Sequence, residues 1–61
     1  MNDDWDIAIT SLSKITVISN PNNEPVSIYG DVEGLNCIGL GTDAAVFQSQ
    51  YAPTYAFKLY A

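Results

Sequence analysis

Histidine and arginine are both missing from this chain, and its only cations are Lys14 and Lys58. Without an imidazole there is no resident general base of the commonest kind, and no basic neighbour to activate the one thiol, Cys37. Seven acidic residues against the two lysines leave a formal charge of −5. That balance provides no electrostatic footprint for nucleic acid and no polybasic patch for anionic lipid, so neither is an expected partner. A single cysteine excludes an internal disulfide and fits a reducing, cytoplasmic setting. Cys37 lies in an apolar segment ahead of a glycine pair and is expected to be buried. No apolar run approaches the ~18 residues of a membrane span. The acidic start of the chain does not read as a signal peptide, and no repeat or low-complexity tract interrupts it.

What is present is a 61-residue chain with 48% apolar residues, enough for one small domain, 1–61. A chain of this size buries only about 60% of its unfolded surface, so its stability is expected to be marginal. In residues 1–13, Trp5, Ala8, Ile9 and Leu12 recur at helical spacing, which predicts a short amphipathic helix. Asn2 or Asp3 is placed to cap it, Asp4 and Asp6 suit its positive end, and Lys14 suits the other. Ile7 lies off the stripe, and Ile7 to Thr10 also reads as strand. The three aspartates have no accompanying glycine-bearing calcium loop and read as a solvated helix start. Residues 14–19 are strand-like by β-branched content. The turn formers at 20–25 and a second short strand at 26–29 complete a hairpin over 14–29. Further strands are expected at 35–39, 44–50 and 55–60, with turns around Gly30–Gly34 and Ala52-Pro53-Thr54. The fold class is therefore mainly β (α+β): about five short antiparallel strands, arranged as a meander in one sheet, with a short N-terminal helix.

The most organised stretch is 35–60. An apolar approach through Ile38 reaches Gly39-Leu40-Gly41, the polar tip Thr42-Asp43 follows, and the chain returns through Ala44-Ala45-Val46-Phe47. A last strand then carries Lys58 in an apolar run. Glycines let backbone N–H groups approach an anion, and a lysine on a neighbouring strand supplies a point charge. Alternation puts Val46 on one face with Ala44 and Gln48, and Ala56 with Lys58, while Tyr55, Phe57 and Leu59 point the other way.

Gly39-Leu40-Gly41-Thr42-Asp43-Ala44-Ala45-Val46 followed by Tyr55-Ala56-Phe57-Lys58 resembles the glycine-rich loop and lysine strand of a protein kinase small lobe, of the bacterial serine/threonine kind. The resemblance implies ATP as ligand. Gly39 and Gly41 would form the loop, Ile38, Val46 and Ala56 the adenine walls, and Lys58 the contact to the α- and β-phosphates. Two departures point to weak affinity: Ala44 stands where the third glycine belongs, and Asp43 brings a carboxylate to the tip. The glutamate partner for the lysine, the aspartate base and the metal-binding residues of phosphoryl transfer have no counterpart here. The chain alone is therefore expected to be inactive as a phosphotransferase, without catalytic residues and without a magnesium site of its own. It reads as a fragment or truncated form, whose partner would be the remainder of a kinase domain.

The same residues also suit a plain pair of β-hairpins, with the lysine keeping an edge soluble. A non-catalytic, self-associating β-rich interaction module is the competing expectation, with four tyrosines as anchors. The face of Tyr55, Phe57 and Leu59 needs a cover. Either the helical stripe folds back over it, or two copies pair.

Overall fold

The computed structural model describes residues 3–61. It is mainly β, with five short strands in two antiparallel sheets and one N-terminal helix. Helix α1 spans Asp3–Leu12 and carries Asp3, Asp4 and Asp6 in its first turn, where carboxylates complement the macrodipole. Asp3 is thus helical and does not precede the helix as a cap, and Asn2 lies outside the described residues. The strand alternative for Ile7 to Thr10 gives way to helix. Lys14 falls outside the last turn, which closes through Ser13 N–H to Ile9 O and Lys14 N–H to Ser11 O.

Strands β1 (Ile15–Ile18) and β2 (Ser27–Gly30) form a two-stranded sheet, in register from Ile15 opposite Gly30 to Ile18 opposite Ser27. Their loop turns at Asn22 and Asn23, both left-handed at φ 63° and 57°, a region that asparagine tolerates better than most residues. The Asn20 carboxamide staples the loop, donating to Pro25 O and Ser27 Oγ, each at 2.8 Å.

Strands β3 (Leu35–Leu40), β4 (Ala44–Ser49) and β5 (Ala52–Tyr60) form the second sheet in that order. The single continuous sheet expected from the short connections is not formed, because β2 and β3 do not pair. Between them Gly30 takes φ 120° and Gly34 φ 76°, redirecting the chain. A Cβ on Gly30 would stand 2.2 Å from Lys14 O, so the corner admits only glycine. One backbone bond among the described residues links the chain just ahead of β2 to the turn just after β3: Val26 N–H donates to Gly41 O at 2.9 Å.

The last turn also differs from expectation. It is Gln50-Tyr51, closed by Ser49 opposite Ala52, with Tyr51 N–H donating to Ser49 Oγ at 3.1 Å. Pro53 therefore lies inside β5, which is tolerated because β5 is an edge strand. The register jumps from Ser49–Ala52 to Phe47–Phe57, so residues 53–56 bulge out opposite Gln48 alone.

Leu12, Val26, Ala45 and Phe47 make the centre of the core. Ile15, Val17, Ile28, Leu35, Phe57 and Leu59 pack around them. One face of the three-stranded sheet is thus covered by the first hairpin and by α1. Trp5 stacks on Tyr55 and Phe57, at 5.0 and 5.5 Å between ring centroids. The helix thus folds back over part of that face, leaving Tyr55 54% exposed. Of its stripe, Ala8 and Leu12 are buried, whereas Ile9 stays 42% exposed, as does the off-stripe Ile7. Among the described residues no helix is long and apolar enough to cross a membrane.

Candidate functional site

On the opposite face of β3–β4–β5 no helix or hairpin of the described residues covers the central row, and of the residues singled out from the sequence Gly39, Val46 and Lys58 meet there. Register puts Gly39 opposite Val46 and Val46 opposite Lys58, so the three form one row across the sheet. A cross-strand row shares a face, with neighbouring Cβ positions about 5 Å apart. Alternation adds Ala44 and Gln48 on β4 and Tyr60 on β5, while Ala56 stands at the end of the β5 bulge. Val46 is half-buried, while Lys58 and Ala56 are exposed. The Lys58 ammonium lies 5.1 Å from the centre of the Tyr60 ring, a cation–π contact, and no carboxylate pairs with it among the described residues.

A bulge in β3 shapes this face. Cys37 pairs with Phe47 and Gly39 with Val46, so Ile38 is the extra residue and stands 49% exposed. The extra residue also brings Asn36 and Gly39, three apart in sequence, to the same side: Asn36 faces Gln48 just as Gly39 faces Val46. Cys37 is exposed rather than buried, because β3 is an edge strand and the cover ends short of it. Its thiol reaches only the Gly39 carbonyl, at 3.5 Å.

The tip between β3 and β4 is held closed. Gly41 N–H donates to Ala44 O at 2.8 Å, Gly41 O accepts from Val26, and Asp43 O accepts from Ala61 N–H at 2.9 Å. Gly39 and Gly41 both keep negative or extended φ. A Cβ would meet Val46 at 3.6 Å from Gly39 and Ala44 O at 3.5 Å from Gly41, ordinary contacts. The fold therefore does not demand glycine at either place. Their bare backbone instead leaves the face approachable. Asp43 is exposed at the tip.

Sequence reasoning missed one part of the face. Asn36, Gln48 and Gln50, with Pro53, border a depression of about 360 Å³ beside the Val46 row. Parity alone places Gln48 on this side; its partner Asn36 depends on the bulge, which no residue pattern announces. Among the described residues no three His, Cys, Asp or Glu side chains converge on a metal-sized site. No family model, curated protein or solved structure matches the chain.

Proposed function

We propose that this chain is the glycine-loop part of a protein-kinase-like small lobe that holds ATP weakly on the open face of its three-stranded sheet. One observation supports the reading above the others. Gly39, Val46 and Lys58, distant in sequence and picked out by motif, stand in a single cross-strand row on the uncovered face. A triphosphate along Gly39 and Gly41 would meet the Lys58 ammonium, and an adenine over Val46 would lie against Ile38 and Ala56. The chain's own residues bind and orient. Phosphotransfer is not part of the proposal, since the sequence carries no counterpart of the kinase aspartate base. Weak affinity follows from the closed tip, where the Gly41 N–H is already engaged by Ala44, and from the Asp43 charge. The lone thiol and the acidic charge suit a cytoplasmic setting, with the rest of a kinase domain as partner.

Amide shifts during titration of the labelled chain with millimolar ATP test this. Perturbations are expected over residues 38–46 and 56–60. Lys58→Ala should weaken binding roughly threefold to fivefold, as befits an exposed charge contact. Asp43→Asn should tighten it by less, since water and salt screen a tip carboxylate. Shifts that miss residues 38–46 would overturn the proposal. Labelled phosphate transfer to a generic acceptor should stay at background.

A second reading has an observation of its own. Strand β3 is an uncharged edge with Ile38 and Leu40 about half exposed, which suits self-association through edge pairing. Sedimentation at tens of micromolar checks it: a concentration-dependent dimer abolished by Leu40→Lys favours this reading, and a monomer throughout removes it.

A further inference from the structure

We infer that the Asn36–Gln48 carboxamide pair reads the edge of a 6-aminopurine base, making this face selective for adenine nucleotides over purines that lack the amine. The inference rests on the nucleotide reading above and adds the residues that recognise the base.

Three observations carry it. The two amides are direct cross-strand partners, one two-residue step along β4 from the Val46–Lys58 row. That step is about 7 Å, so a carboxamide side chain on the neighbouring row can reach the edge of a purine lying over Val46. Next, both amides border the same depression, together with Gln50. Finally, among the described residues the only carboxamide held by hydrogen bonds is that of Asn20, in the first hairpin. The donors and acceptors of Asn36 and Gln48 are thus free for a ligand.

The chemistry selects the base. A carboxamide offers one acceptor and an N–H donor in a single plane. Adenine presents the complementary pattern on either edge, its N6 amine beside N1 or beside N7, and bidentate Asn or Gln contacts to adenine use this match. Without the N6 amine the purine keeps its acceptors but has no donor to offer, and an amide carbonyl is left unpaired at the base. With the phosphates along Gly39 and Gly41 and the adenine over Val46, the hydrogen-bonding groups one step further along β4 are those of Asn36 and Gln48, where the edge of the base would meet them.

The experiment compares ATP with purine riboside 5′-triphosphate, which differs only in lacking the amine, using amide shifts of the labelled chain to obtain both affinities. ATP is expected to bind roughly fivefold to tenfold more tightly, the lower end of what a bidentate amide contact provides. Asn36→Leu and Gln48→Met should each bring the two affinities towards equality, while Lys58→Ala weakens both ligands and preserves their ratio. Equal affinities in the unsubstituted chain overturn the inference while leaving nucleotide binding standing, and this comparison needs no variant to fold. A ratio that survives both amide substitutions overturns it too. If neither ligand shifts residues 38–46, the nucleotide reading and this inference fall together.

Discussion

Val46 and Phe47 are neighbours in the chain and sit on the same central strand, yet they live in different environments. Phe47 is 1% exposed, locked among Leu12, Val26 and Ala45. Val46 is half-buried on a face with no helix over it, between a glycine on one side and a lysine on the other. Period-two alternation assigns one set of residues to holding the molecule together and the other to whatever approaches from outside. The division explains why a chain so short on stabilising surface still leaves much of one sheet face uncovered, with Ala44 alone buried on the β4 row. The covered side carries the large side chains, and the open side is built largely from small, polar or charged residues.

The strongest way to break this comparison is to truncate each neighbour in turn. Phe47→Ala removes a fully buried ring and should cost about 3–5 kcal/mol. That is as much as a single core of this size commonly supplies, so circular dichroism at 25 °C should show a largely unfolded chain. Val46→Ala should cost less than about 1.5 kcal/mol in urea unfolding. Equal losses would show that the open face is a second core.

Next in size are the glycines. Gly30→Ala forces a Cβ against the Lys14 carbonyl at a left-handed corner, for a loss of about 2 kcal/mol or more. Gly39→Ala meets only ordinary contacts and should leave stability within about 1 kcal/mol, with any ATP response reduced. Thermal unfolding of the two variants side by side separates glycines that the fold requires from those it merely contains.

Trp5→Ala should cost about 1–2 kcal/mol, by releasing α1 from Tyr55 and Phe57 at the margin of the covered face. Smallest of all is Lys58→Met. It gives up an exposed cation–π contact and no ion pair, so stability should hold within about 0.5 kcal/mol while ATP binding falls. A large loss of stability in this variant would mean that the lysine serves the fold rather than a ligand.

Much of this division was readable in the sequence. Parity along the last strand separated Phe57 and Leu59 from Lys58, and the structure pairs the first two with Phe47 and Ala45 of the core. The helical stripe gave Ala8 and Leu12 correctly but not Ile9, because α1 touches the sheet along a contact narrower than its apolar surface. Other features had no local signal. The separation into two sheets depends on Gly30 and Gly34 turning the chain away, and a glycine's φ is not written in its neighbours. Pro53 reads as a turn by composition, but the Ser49 hydroxyl favours a tighter turn two residues earlier, and an edge strand then absorbs the proline. The meeting of Asn36 with Gln48 follows from a bulge at Ile38, a matter of register between strands and not of residue preference, and the exposure of Cys37 follows from the place of β3 at the sheet's edge.

The bond from Val26 to Gly41 has a kinetic meaning. Its donor is buried and belongs to the first hairpin's side of the molecule, while its acceptor lies at the base of the glycine turn on the second sheet. Deuterium can replace that proton only when the two sheets part, so the exchange rate of a single amide times their separation. A ligand that steadies the glycine turn should slow that one proton, even though it never touches Val26.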